Sequence, residues 1–231
     1  MEKTMPQDAE IKVLDQGFVR LVDMMGSDLS VVNAARVSFG KKKDHFEDKD
    51  KKLIQYLAKH EHTSPFRHAY VQFHVKAPIF VFRQWMKHQV GCSWNEISGR
   101  YVEFPDDEFF IPASFRQQSK DNKQGSEGEI ELAHRETARH AYELACKHAV
   151  TEYKKLLSLG VCREQARCIL PLGLYSEVYW TTSLQAVAHF IRLRSESHAQ
   201  WEIQQYAHAV RSLVEVAFPA SLEALLSTDV G

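Results

Sequence analysis

The chain has 231 residues, room for one large domain or two small ones, and its 44% hydrophobic and 26% charged residues match an ordinary soluble globular protein that buries a core without staples. A formal net charge of −1 excludes a global field that would gather nucleic acid or an anionic membrane, so any bound anion has to meet a local cluster of Arg and Lys. Cys92, Cys146, Cys162 and Cys168 form no CxxC pair, MEKTMPQDAEIKV lacks an apolar signal core, and no apolar run reaches transmembrane length, so the expectation is a cytoplasmic protein with reduced thiols and no membrane partner.

Residues 11–23 alternate loosely and predict one or two strands, broken near Gln16 and Gly17. Ser27 and Asp28 cap a helix over LSVVNAARVSF, with Leu29, Val32, Ala34 and Ala35 as its apolar stripe. GKKKDHFEDKDKK is a solvated connector into a helix over 48–60. Residues 68–76 make the cleanest strand. Ala69, Val71, Phe73 and Val75 face one side; His68, Tyr70, Gln72, His74 and Lys76 face the other. Pro78 suits the first turn of a helix, PIFVFRQWMKH.

The segment KHQVGCSWNEISGRY (87–101) follows directly, too polar for a core element and too rich in Trp and Tyr for an idle loop. YVEFPDDEFFIP reads as extended chain interrupted by Pro105, and residues 117–129 as a linker. One long amphipathic helix then ends at Gly160. LGLYSEVYWTT predicts a strand, and TSLQAVAHFIRLRSES and QWEIQQYAHAVRSLVEVAF predict two helices, the second stopped by Pro219. The fold class expected is α+β, a single domain over 1–231 in which helices outnumber strands.

Arg83, Arg100, Arg167 and Arg194 lie in apolar or site-like surroundings. Guanidinium answers phosphate or carboxylate with paired donors and a permanent charge, although any one of the four can equally cap a helix or snorkel. His60, His62 and His68 fall within nine residues in HEHTSPFRH. Their spacing matches no HExxH or Cys/His framework, and no metal is expected. The ten glycines form neither GxGxxG nor GxxxxGKS, which leaves a Rossmann or P-loop reading without support. Cys92 or Ser98 as nucleophile has no triad spacing behind it, so Ser98 reads better as a hydrogen-bonding ligand. The residues alone thus point to a site for an anionic, aromatic small molecule such as a nucleotide. They do not give the reaction. A nucleic-acid module would need a basic stripe that the chain lacks.

FRQWMKH with the segment after it resembles the signature of the flavin-dependent thymidylate synthases: Arg83-Gln84-Trp85, Lys87-His88-Gln89, Asn95-Glu96, then Ser98-Gly99-Arg100-Tyr101. DQGFVRLVDMMG, AARVSF, HTSPFRH, CREQARCILPLGLY and LRSESHAQWEIQQYA extend the resemblance, in order, over about 11–218. It implies a central, mostly antiparallel sheet flanked by helices and a homotetramer whose active sites are shared between subunits. It also implies methylation of dUMP at C5, with methylenetetrahydrofolate as carbon donor, FAD as hydride relay and NADPH as reductant. Carried over by position, Gln84, Trp85, Lys87, Glu96, Ile97, Ser98, Gly99, Arg100, Arg167 and Arg194 face dUMP. Ser38, His62, Ser64, Lys87, His88, Gln89, Glu96, Ser183, Gln185 and His189 face FAD. Arg194 is the expected catalytic residue, its guanidinium stabilising charge that develops on the uracil.

The chain departs from the family pattern in two places. The signature's Arg-His-Arg is Lys87-His88-Gln89, and Ser183, Gln185 and His189 stand where the family often has Asn, Arg and Asn. Two cations facing FAD are thus neutral, which predicts an active but loosely flavinated member. The alternative is a family-derived dUMP-binding protein with weakened or lost flavin catalysis.

Overall fold

A tight reversal between two strands begins the chain's path. Glu10–Val13 (β1) and Gly17–Met25 (β2) pair antiparallel with Val13 opposite Gly17, and Leu14 takes the left-handed conformation (φ 59°) between them. A Cβ at Gly17 would lie 2.0 Å from the Tyr206 hydroxyl and 2.7 Å from the Val13 carbonyl oxygen. Only glycine closes the hairpin against the helix behind it. The break predicted near Gln16 and Gly17 is this turn.

The computed structural model describes residues 9–227. After β2 come helices Asp28–Arg36 (α1) and Asp48–Lys59 (α2), strand Tyr70–Pro78 (β3), helix Ile79–Trp85 (α3) and strand Cys92–Glu96 (β4). Short strands Arg116–Gln118 (β5) and Ser126–Glu129 (β6) precede helices Leu132–Ser158 (α4) and Arg163–Ala166 (α5). Strand Tyr175–Ser183 (β7) leads into helices Leu184–Arg194 (α6), Trp201–Ala217 (α7) and Pro219–Leu226 (α8).

Five strands form one antiparallel sheet in the order β1-β2-β3-β7-β4. β3 and β7 make its spine, paired along all nine residues from Tyr70 opposite Ser183 to Pro78 opposite Tyr175. Alternation decides which face is covered. Ala69, Val71, Phe73 and Val75 are at most 1% exposed and join one core with Val19, Leu21, Val178 and Trp180 and the apolar stripes of α1, α2, α3, α6, α7 and α8. The opposite face is polar and half-buried. Across it the Arg20 guanidinium meets Glu10 and His74, and His74 Nε2 lies 2.7 Å from Glu177. The α+β sheet-and-helix expectation holds.

Several local expectations change. Residues 117–129 are a hairpin, not a linker. Gln118 Nε2 donates to the carbonyls of Asn122, Lys123 and Gly125, so side chain-to-backbone bonds replace the apolar alternation that would have announced strands. Pro78 ends β3 and is the N-cap of α3 rather than part of its first turn, and α3 stops at Trp85. Pro219 both stops α7 and starts α8. Its missing N–H suits a helix start, and the Asp28 carboxylate accepts from Ala220 N and Ser221 N at 2.9 Å. Residues 87–101 contribute an edge strand, β4. The long helix α4 forms as predicted but buries only Cys146, Val150 and Tyr153.

Candidate active site

α3 and α6 end side by side, and their last turns hold the first group of candidate residues. α6 buries Leu184, Val187, Ala188, Phe190 and Ile191. That spacing turns Gln185, His189 and Arg192 outward along the other side. Arg194, at the helix end, donates from Nε to His88 Nε2 at 3.0 Å and from Nη2 to the Gln84 carbonyl at 3.3 Å. The Gln84 side chain donates to Gln200 Oε1 at 2.6 Å. Burial first, then the charges of Arg194 and His189, push the His88 pKa down to about 4. His88 is therefore neutral near pH 7, its Nε2 lone pair accepting from Arg194 and its proton on Nδ1. Burial also lowers the pKa of Arg194. Lys87 and Gln89, on either side of His88, are exposed.

Trp85 lies beside these residues in sequence but not in the site. It is fully buried, stacked on Phe190 at 4.5 Å with Trp180 edge-on at 5.2 Å. Its indole has no exposed face and serves the core, so a ligand contact of Trp85 would run through its backbone.

A second group sits beyond the far end of β4. Glu96 is exposed and accepts from the Ser176 hydroxyl at 2.7 Å, and Ile97 N bonds to Glu177 O. The chain then turns: Tyr101 N and Val102 N both bond to Ser98 O. Arg100 lies over the Tyr101 ring at 5.3 Å, with its Nε 3.4 Å from Ser98 Oγ. Gly99 is buried between the Phe104 ring and the Arg167 side chain; a Cβ there would be 2.4 Å from Phe104 Cε2 and 3.3 Å from Arg167 Cδ. That contact brings Arg167 from the 3-10 turn Arg167–Ile169 to Ser98-Gly99-Arg100. Arg100 and Arg167 are both exposed.

The third group is drawn from the start of α6, the turn Ser64–His68 bonded to it through Arg67, the end of α2 and the turn after α1. His62 and Ser64 are exposed on either side of Thr63, just after Glu61 in a left-handed conformation (φ 55°). The rings of Tyr56 and His60 are 4.3 Å apart, with His62 6.2 Å from Tyr56. Gln185 Oε1 accepts from Arg67 Nε at 2.5 Å. His189 is 5.7 Å from the His88 ring, and its pKa is lowered by burial and then by Arg192 and Arg194. Ser38 is exposed in the 3-10 turn Val37–Phe39. Ser183 is different: it is 3% exposed and its hydroxyl caps α6 by accepting from Ala186 N. As a helix cap the hydroxyl is turned into the protein, so a cofactor contact of Ser183 would run through its backbone.

Arg67 and Tyr56 also belong here, although no expectation from the sequence singles them out. The signal for Arg67 was its place inside HTSPFRH, and for Tyr56 its helical spacing of four from His60. Arg83 is exposed on α3, away from the Arg194 bonds. Among the described residues no His, Cys, Asp and Glu group is arranged to hold a metal ion, and no helix is long and apolar enough to cross a membrane. The first and third groups share α6. The second follows β4 in the chain, whereas Gln84 and His88 of the first precede it.

A family model described as thymidylate synthase complementing protein matches residues 20–220. The flavin-dependent thymidylate synthase of Thermosipho melanesiensis is 46% identical over 217 residues, covering 94% of this chain and 93% of the relative. That of Thermus thermophilus is 49% identical over 209 residues, covering 90% and 75%. Among solved structures, a UMP/dUMP methylase, PolB from Streptomyces cacaoi bound with 5-Br dUMP, superposes with a TM-score of 0.83 at 34% identity, covering 94% of this chain and 98% of that one.

Proposed function

This chain belongs to the flavin-dependent thymidylate synthase family, and from that premise we propose that it converts dUMP to dTMP, with methylenetetrahydrofolate as carbon donor and NADPH as reductant. The observation that carries the reading is the Arg194–His88–Gln84 junction. A neutral imidazole and a backbone carbonyl hold the guanidinium at two points and leave its charge uncancelled. A cation so placed stabilises negative charge developing on a uracil ring and costs little reorganisation as the charge appears.

The nucleotide is bound by Gln84, Lys87, Glu96, Ile97, Ser98, Gly99, Arg100, Arg167 and Arg194. Arg100 and Arg167 supply charge for its phosphate; neither has a carboxylate partner among the described residues. Their bidentate forks suit phosphate oxygens. Active sites shared between copies in a homotetramer are part of the same proposal, which rests there on the family resemblance alone.

The residues present fit FAD. Exposed rings of Tyr56, His60 and His62 offer flat faces for an aromatic ring system, and the outward side of α6 is free of carboxylates from 184 to 194. Ser38, His62, Ser64, Lys87, His88, Gln89, Glu96, Gln185 and His189 would hold it. FAD, when bound, supplies the hydride relay between NADPH and the transferred carbon. Around it His88 keeps Arg194 in place, and Gln185 and His189 add neutral hydrogen-bonding groups. The same proposal makes it a cytoplasmic enzyme; among the described residues no helix is long and apolar enough to cross a membrane.

The test is turnover by the purified chain supplied with FAD, NADPH, methylenetetrahydrofolate and dUMP, followed chromatographically. The expected product is dTMP, lost in Arg194→Ala. Binding of both dUMP and FAD without any dTMP would instead make the chain a binding protein.

A further inference from the structure

Arg67 carries a charge that none of the roles above uses. It sits in the 3-10 turn Ser64–His68, which Pro65 and Phe66 anchor in the interior. Its guanidinium is fixed from outside that turn: Nε donates to Gln185 Oε1 of α6 at 2.5 Å, and Nη2 reaches Thr63 Oγ1 at 3.4 Å. An arginine has five N–H donors, so three stay directed to solvent beside His62, Ser64 and Gln185. A solvated surface arginine keeps its rotamer freedom; this one has given up part of it to a side chain 118 positions away.

The surroundings favour an anion. No acidic side chain pairs with Arg67 among the described residues, and neither Ser64–His68 nor Leu184–Arg194 contains an Asp or Glu. The positive charges of Arg192 and Arg194 add to burial in depressing the pKa of His189, one turn along α6 from Gln185. Because only its amide oxygen can accept from Arg67, Gln185 turns its NH2 outward as a further donor.

We propose that Arg67, clamped by Gln185 and Thr63, is an anion-binding residue for the diphosphate of FAD. The inference rests on the reading of this chain as an FAD enzyme. It also places a cation 2.5 Å from Gln185, at a position where the sequence alone shows a lost charge.

The experiment is titration of the purified full chain with FAD, and separately with riboflavin, which lacks phosphate, by flavin fluorescence. The variants are Arg67→Gln, Arg67→Lys and the exchange Arg67→Gln with Gln185→Arg. Arg67→Gln is expected to weaken FAD about 10- to 100-fold, as for loss of a charge-assisted hydrogen bond, and to leave riboflavin and dUMP binding and the melting temperature unchanged. Arg67→Lys is expected to fall between, and the exchange to recover most of the loss. FAD affinity within twofold of wild type in Arg67→Gln, or an equal loss for riboflavin, overturns the assignment while the enzyme reading stands. A wild-type chain that binds no FAD overturns both.

Discussion

Arg194 and His88 are joined as donor and acceptor, Nε to Nε2 at 3.0 Å, across the ends of two helices 106 positions apart in sequence. The bond exists only while the imidazole is uncharged, and the guanidinium itself helps to keep it so. Lysine would preserve the charge of Arg194 but could not keep both the His88 bond and the Gln84 carbonyl bond in one plane. Arg194→Lys is therefore expected to lower kcat for dUMP turnover about 100-fold or more, the scale seen when one preorganised donor is removed. Binding of dUMP should change far less. Steady-state kinetics with a separate dUMP titration separates the two, and a lysine variant with wild-type kcat would remove the guanidinium from the chemistry.

The same pair makes stability depend on pH. His88 has a folded pKa of about 4 against an ordinary 6.5. Between those values the unfolded chain binds the proton and the folded chain does not, so stability rises with pH across that window and is complete above it. At pH 5 the loss relative to pH 7 from this group is about 1–2 kcal/mol. His88→Gln keeps an acceptor and cannot titrate, so its urea unfolding should lose less between pH 7 and pH 5 than wild type does. Equal losses in the two proteins would show that His88 titrates normally.

Gly99 is a position where one methyl group tests the second cluster. A Cβ would overlap the Phe104 ring at 2.4 Å and press on Arg167 Cδ at 3.3 Å. Gly99→Ala is expected to displace Arg167 and weaken dUMP about 10- to 100-fold, since small misplacements at a site carry penalties of that order. FAD retention should not change. Calorimetric titration with dUMP measures the effect, and undiminished affinity would take Arg167 out of the nucleotide site.

Much of the fold was legible because alternation and caps are local signals. The phase of 68–76, the break before Gly17 and the cap at Ser27 all follow from neighbours in sequence. The hairpin at 117–129 was hidden because its bonds run from Gln118 to carbonyls rather than from an apolar face. Pro219 was read as a stop, since its role as a start depends on Asp28, which lies 192 positions away from Ala220. The site shows the same division. The family resemblance named Arg194, His88 and Gln84, but their shared junction, the burial of Trp85 and the anchoring of Arg67 are tertiary facts that no spacing encodes.

The charge run at 40–52 gives a further case and a stability prediction. Asp50 is fully buried and bonded to Arg36 at 3.1 Å and Lys43 at 2.5 Å, while Asn33 grips both the N–H and the carbonyl of Lys43. What reads as a solvated connector is thus tied down at its middle. Asp50→Ala leaves two partly exposed cations facing an emptied buried position and is expected to destabilise the protein by about 2–3 kcal/mol, somewhat below the loss for a fully buried pair. The urea midpoint measures this; a change under about 0.5 kcal/mol, as at an ordinary surface site, would mean that the pair is solvated in solution.

Gln89 and Lys87 are the departures from the signature's Arg-His-Arg, both exposed and on either side of His88. If FAD passes this edge, a cation there should add a charge-assisted hydrogen bond that the present amide supplies only in neutral form. Gln89→Arg is expected to tighten FAD about tenfold at low ionic strength, and Lys87→Gln to loosen it by a similar factor. Both effects should shrink as salt is raised, because exposed charges are screened over a few ångströms at about 1 M. Flavin absorbance retained after desalting gives the comparison directly. Should neither substitution move FAD retention at any salt, the cofactor does not run along this edge, and its charge is met on the α6 side, where Arg67 stands against Gln185.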